Sequence, residues 1–256
     1  MTKMNSSVEK ESPIKLFIAT ACHDAMMTMQ YTMSIMKLNI LLNQYGIEYV
    51  TDFIGNDSPR ARNNSLANFL KTDFTHIIFI DSDIEFPAEA VIELLECDKD
   101  VTCCTYSKNG FNWKRFMYSM QTEIQSKECL ESRGLDYNYN AFIDKSNNLI
   151  KSENGKFIKV KHASTGFMIV KREIVNKLCK KHTELTIKTD DLNKGYNEIC
   201  GLFCCMIKEK VYLSEDYSFC ERVNDIGGEV WLNVTHNLNH IGKYVFKSDI
   251  QNREKM

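Results

Sequence analysis

Several things are missing from this 256-residue sequence, and each absence removes a class of function. There is no excess of charge of one sign. Lysine and arginine total 32 against 34 aspartate and glutamate, and the formal net charge of −2 gives no overall field for nucleic acid or an anionic membrane. Any polyanion must be met locally. No window approaches the roughly 18 uninterrupted apolar residues of a membrane span, and the opening "MTKMNSSVEKESP" lacks the apolar core of a secretory leader. The expectation is a cytoplasmic protein without a transmembrane segment. Ten cysteines are present, including the pairs Cys103-Cys104 and Cys204-Cys205, but they show neither CxxC spacing nor a secreted scaffold, so reduced, half-buried thiols are expected rather than zinc. No glycine-rich loop appears, which argues against a Rossmann dinucleotide site or a Walker-type phosphate loop. Repeats and heptads are absent as well.

What is present alternates. "IKLFIAT" (14–20) reads as a strand, and the methionine-rich run that follows places Met29, Met33, Met36 and Ile40 at helical spacing before Gly46. Those methionines are expected to fill core gaps. "IEYVTDFI" (47–54) reads as a second strand, "SPRARNNSLANFLKT" as a helix capped by Ser58 with Pro59 at its first position, and "HIIFI" (76–80) as a third strand. "PAEAVIELLEC" (87–97) and "DVTCCTY" (100–106) add a helix and a fourth strand. Strands separated by amphipathic helices predict an α/β domain with a mostly parallel central sheet flanked by helices, whose ligands lie at the carboxyl ends of the strands. Residues 107–160 are expected to form loops or a small hairpin. "STGFMIVKREIVNKLCKK" restores a strand and a helix. "SEDYSFCERVNDIGG" is a helix ending at Gly227-Gly228, "EVWLNV" a strand with Trp231 in the core, and "HNLNHIGKY" a terminal loop.

The third strand runs directly into Asp81-Ser82-Asp83. Two residues apart on an extended segment, the carboxylates would point to the same side, where Mg²⁺ or Mn²⁺ could relieve their repulsion and bridge them to a diphosphate. A bare DxD is common in solvated turns, and the buried strand before it is what favours function. Haloacid-dehalogenase-type phosphotransferases also follow a strand with DxD, but need a small hydroxylic residue where Glu85 stands.

The ordered set "FIAT" (17–20), "RARNNSLANFL" (60–70), "FIDSDIEF" (79–86), "STGFMIVKR" (164–172), "SEDYSFCERVNDIGGEVWL" (214–232) and "HIGKY" (240–244) resembles GT-A fold glycosyltransferases related to family 2. It is most similar to the small single-domain enzymes of large DNA viruses and phages, a source that the asparagine, lysine and isoleucine usage also fits. The resemblance implies one GT-A catalytic domain over 14–246, with a nucleotide-binding half (14–106) and an acceptor half (107–246), between a flexible N-terminus (1–13) and a C-terminal tail (247–256). It implies a hexosyl- or deoxyhexosyltransferase that takes a nucleotide-sugar donor, UDP-linked first of all, with Mn²⁺ or Mg²⁺, and a glycan or glycoprotein acceptor.

Carried over, Asp83 ligates the metal, Asp81 contacts ribose or metal-bound water with Ser82 between them, and His240 completes the metal shell, with His236 as its competitor. Imidazole favours manganese among hard ions. Asp216 would be the base that deprotonates the acceptor hydroxyl during inversion, with Glu215 close by. Acidic residues after a serine also simply stabilise a helix N-terminus. Arg62 and Asn63, with Arg60 beside them, would meet the diphosphate. Thr20, Ala21 and His23 would touch base and ribose, and Thr165-Gly166 would let the sugar approach the backbone. The alternative from another class is a noncatalytic sugar-nucleotide or glycan-binding module of the same fold.

Overall fold

The β-branched and aromatic runs of the first hundred residues form strands in the order that the sequence predicts. The structure, a computed structural model, describes residues 13–55, 58–121, 126–188, 198–242, 244–247 and 249–253. Strand β1 (Lys15–Ala21) leads into α1 (Met29–Gln44), β2 (Glu48–Ile54), α2 (Ser58–Leu70) and β3 (His76–Asp81). After β3 come β4 (Ile84–Glu85), α3 (Ala88–Glu96), β5 (Val101–Cys104), β6 (Ser107–Phe111), α4 (Trp113–Ser119), α5 (Lys127–Arg133), β7 (Leu135–Tyr137) and β8 (Tyr139–Ala141). The second half contributes β9 (Phe157–Ala163), β10 (Phe167–Lys171), α6 (Arg172–Lys181), β11 (Thr186–Lys188), β12 (Glu198–Cys200), β13 (Met206–Lys208) and β14 (Val211–Leu213). It closes with α7 (Glu215–Asp225), β15 (Val230–Asn233), β16 (Asn239–Ile241), β17 (Val245–Lys247) and α8 (Ile250–Arg253).

Eight strands make the central sheet, in the order β2-β1-β3-β10-β5-β15-β9-β8. Strands β2, β1, β3, β5, β15 and β8 run one way and β10 and β9 run the other, so the sheet is mostly parallel in direction with two reversed strands inside it. Alternate residues of β1 and β3 feed opposite faces. Leu16, Ile18, Ile78 and Ile80 pack with α1 and α3, while Phe17, Ala19, Ile77 and Phe79 pack with α2, α6 and α7. Burial on both faces explains why these strands read as continuous apolar runs.

Several expectations are corrected. The methionine stripe faces outward: Met29, Met33, Met36 and Ile40 are exposed, and the buried face of α1 is Tyr31, Ser34, Ile35, Leu38 and Leu42. Both faces of α1 carry apolar side chains, so periodicity alone could not choose between them. Tyr31 decides it, because its ring is buried and its hydroxyl bonds Thr20 on β1. The described residues of 107–160 hold three short strands, two helices and the first part of β9, where loops or a small hairpin are expected. Within "HNLNHIGKY", expected to be a loop, Asn239–Ile241 form β16, which pairs with both β17 and β4. Trp231 is in the core as expected. All ten cysteines are free.

The expected flexible N-terminus lies, up to residue 12, outside the described residues. The C-terminal segment includes α8, whose Ile250 is buried, and this helix packs against α5. Among the described residues no helix is long and apolar enough to cross a membrane.

Candidate functional site

Parallel strands deliver their carboxyl ends to one edge of the sheet, and β1, β3 and β5 place Ala21, Asp81 and, two residues beyond β5, Tyr106 there. The chain does not continue extended through Asp81-Ser82-Asp83. Ser82 and Asp83 form a turn, because β4 must bend away from β3 to pair with β16, and the Ser82 carbonyl is held by the Thr28 N–H at 3.0 Å. The two carboxylates therefore have different partners, and the expectation that they share one side of a strand is corrected.

Asp81 faces Arg62. The guanidinium donates Nη2 to both Asp81 oxygens at 2.8 and 3.1 Å and Nη1 to Glu215 Oε1 at 2.7 Å, joining α2, β3 and α7 in one charged cluster. Arg62 is only 5% exposed. Burial alone would lower its pKa, but Asp81 and Glu215 more than offset this, so the net shift is upward and the side chain stays charged. The Tyr106 hydroxyl donates to Asp81 Oδ2 at 3.3 Å. Burial, and then the Asp81 charge, push this phenol well above its usual range and keep it a neutral donor.

Asp83 faces His240, with Oδ2 3.2 Å from Nε2. The pairing of β16 with β4 sets this, since His240 lies opposite Ile84, the residue after Asp83, and the Ile241 N–H bonds the Asp83 carbonyl at 2.8 Å. His240 Nδ1 is 2.8 Å from the Ser107 carbonyl. A carbonyl only accepts, so Nδ1 carries the hydrogen and the lone pair of a neutral ring sits on Nε2, against a carboxylate oxygen. Burial pulls the His240 pKa down, yet the bonds to Asp83 and the Ser107 carbonyl and the nearby carboxylates raise it overall. A cation between Nε2 and Asp83, proton or metal, satisfies both lone pairs.

This is the test of whether a divalent ion fits. Carboxylate oxygen with imidazole nitrogen suits manganese, and the second ring nitrogen is fixed by a carbonyl in the manner of metal-binding histidines. Among the described residues no group of three or more histidine, cysteine or acidic side chains is close enough to hold a metal, so the protein would supply this pair, and bound ligand or solvent the rest. Asp81, turned to Arg62, stands outside the pair. His236 bonds Glu93 at 2.9 Å, away from the pair.

Asp216 is buried at the start of α7. Its Oδ1 accepts from the Ser214 hydroxyl and from the Tyr217 N–H at 2.8 Å, and its Oδ2 from Asn138 Nδ2 at 3.3 Å. The remaining expected residues are scattered in role. Thr20 is fully buried with its hydroxyl on Tyr31; Asn63 accepts from the Phe203 N–H at 2.9 Å; Ser82 is buried; and His23 is exposed and pairs with Asp24. Ala21 ends β1, and Arg60 lies on α2 two residues before Arg62. Asp24 and Ala25, in the loop after β1, both have left-handed backbone at φ 53° and 56°, a strained arrangement for alanine.

Gly166 is where the backbone comes closest. Its carbonyl accepts the Asp81 N–H at 3.0 Å, and a Cβ there would collide with the Tyr106 hydroxyl and Asp81 Oδ2. Next to it, Thr165 Oγ1 is buried without a partner among the described residues, as is Arg62 Nε. Unpaired buried polar atoms are costly, and both lie at the edge a ligand would approach. Gly166→Ala is expected to destabilise the fold by about 1–3 kcal/mol through overpacking, seen as a lower urea midpoint at unchanged slope.

Two residues of this site have no place in the sequence reading. Tyr106 follows a strand of the sheet, and the rule that ligands gather at carboxyl ends would have found it. Asn138 lies in the irregular stretch and carries no signal.

No family model and no curated protein matches the chain. Solved structures with a similar chain path include A197 from STIV, 15% identical over 92% of this chain and 94% of that one, with a TM-score of 0.46. GalNAc-T7 with UDP, GalNAc and Mn²⁺ is 11% identical over 91% of this chain and 45% of that one, TM-score 0.42. The inositol-1-phosphate CTP transferase from T. maritima is 8% identical over 90% of each, TM-score 0.40. At such values the likeness is one of chain path, and says nothing of chemistry.

Proposed function

We propose that this chain is a metal-dependent glycosyltransferase of GT-A type, moving a sugar from a nucleoside diphosphate donor, UDP-linked first of all, to a glycan hydroxyl. The observation that carries the reading is the Asp83–His240 pair at 3.2 Å beside the exit of the buried strand β3. A divalent ion held there would stabilise the departing diphosphate. Arg62 supplies buried positive charge behind it, with Nε still free to donate, and the loop Ala21–His23 together with Arg60 borders the donor. Thr165 and Gly166 form the floor on which the sugar lies. Asp216 takes the acceptor proton and Glu215, fixed by Arg62, stays beside it, so that attack and departure occur on opposite faces of the anomeric carbon and the centre inverts.

The test is calorimetric titration of UDP with and without Mn²⁺. Binding that requires the ion and is lost in Asp83→Ala is expected. UDP binding indifferent to Mn²⁺ and to that substitution would remove the reading. One observation favours a second reading, a noncatalytic sugar-nucleotide-binding module: Arg62 already neutralises Asp81 and Glu215, as in a purely structural ion cluster. A module of that kind would bind UDP-sugar and turn none over.

A further inference from the structure

Away from the carboxylates, helix α4 shows its apolar side chains to solvent. Trp113, Met117 and Met120 follow one another at i, i+4 and i+7 on a single stripe, and all three are exposed, as is Tyr118. The opposite side of the helix is used internally, with Ser119 buried and Arg115 paired to Asp136 at 2.8 Å. An outward apolar stripe on a helix that already has an inner face is not needed for folding.

The stripe borders a cavity of about 440 Å³ whose wall is almost wholly aromatic: Phe111, Trp113, Phe116, Tyr244 and Phe246, with Leu130. Phe111 is the pivot, with ring centroids 4.7 Å from Trp113 and 5.1 Å from Phe116, and it lies so close over Gly134 that no Cβ would fit there. Such a wall buries apolar surface and offers few hydrogen-bonding groups. Its one lining carboxylate, Glu131, is taken by the Tyr244 hydroxyl at 2.5 Å. Charge around the cleft has one sign to spare. Lys108, Lys114, Lys127 and Lys247 are exposed on β6, α4, α5 and β17 against one exposed acid on α5, Glu128, while Arg115 is already paired with Asp136.

We propose that α4 and this cleft dock on an anionic lipid surface, the stripe entering the interface and an apolar lipid chain entering the cavity. Tryptophan, tyrosine and methionine beside lysines are the side chains that settle at such an interface, with the lysines reaching the headgroups. The protein's near-zero net charge makes the attraction local to this face. His240 and Phe246 lie opposite one another in the β16–β17 ladder, so the cleft and the Asp83–His240 pair share one hairpin.

The test does not depend on the transferase reading, because it needs no turnover. The chain has two tryptophans, Trp113 at 68% exposure and Trp231 at 7%, so a change in exposed emission reports Trp113. Flotation with vesicles of phosphatidylcholine containing phosphatidylserine, weakened by salt, is expected, together with quenching of Trp113 by brominated lipid. Trp113→Ala with Met117→Ala should abolish both, and Lys114→Glu with Lys127→Glu should weaken flotation by about tenfold or more. The urea midpoint of the Trp113→Ala, Met117→Ala variant should stay near wild type, so that a loss of flotation is not a loss of fold. No flotation on these vesicles overturns the proposal, as does flotation untouched by both double variants. Trp113 emission that answers dissolved methyl glycosides but not vesicles also overturns it and assigns the cleft to a soluble glycan.

Discussion

Arg62→Met should lower stability by about 3–5 kcal/mol, the largest loss expected of any single change in the site. The methionine fills similar volume, so packing is not what is lost. What remains is Asp81 and Glu215 facing each other without the guanidinium that bonds both, in a pocket where Tyr106 is the other donor to Asp81. Both carboxylates keep some water, with side chains 24% and 22% exposed, which places the loss toward the lower end. The sign with pH follows. The variant leaves two like charges facing each other without a counter-charge, and acid, which neutralises carboxylates, removes that repulsion. Urea midpoints for wild type and variant should therefore converge on acidification. Arg62→Lys keeps the charge but not the fork that reaches two partners, and should fall between them.

Asp216→Asn is expected to cut sugar transfer by about 10²–10⁴-fold while Mn²⁺-linked UDP binding stays near wild type. Asparagine keeps the shape and one acceptor oxygen but cannot take up a proton as the hydroxyl attacks. The side chain sits at the start of α7, where a carboxylate also favours the helix, so a small stability loss of about 0.3–1 kcal/mol should accompany the substitution. That loss alone would be the signature of a merely structural residue. Transfer rate and UDP affinity measured on the same preparation separate the two roles, and unchanged transfer would exclude Asp216 as the base.

The strand-helix alternation through β5 was legible because burial on both faces of β1 and β3 leaves unbroken apolar runs, and because Pro59, Pro87 and Gly46 mark helix ends. The pairing of β4 with β16 was not. A two-residue strand such as Ile84–Glu85 has no periodicity to detect, and without it "HNLNHIGKY" reads as loop. For the same reason a straight extension through Asp81-Ser82-Asp83 looked natural, although the chain turns there. The methionines misled through chemistry: an unbranched apolar side chain suits a core gap and a solvent-facing stripe alike, and only the tertiary contact of Tyr31 with Thr20 orients α1. The gathering of Arg62 with Asp81 and Glu215, and of Asp83 with His240, joins segments far apart in sequence. The resemblance implied that Asp83 and His240 would meet, but it set Arg62 against a diphosphate and gave no sign of the Arg62–Asp81–Glu215 cluster.

The β4–β16 pairing also sets when the site can exist. Asp83 emerges early in synthesis and waits for a partner 157 positions further along the chain. N-terminal segments begin to fold while the remainder is still being made, so the first half of the sheet can assemble without the donor pair. Under the proposed function the nascent protein would hold no ion until His240 has cleared the ribosome and paired opposite Ile84, and a translation product that stops short of this residue would lack one of the two side chains proposed to bind it.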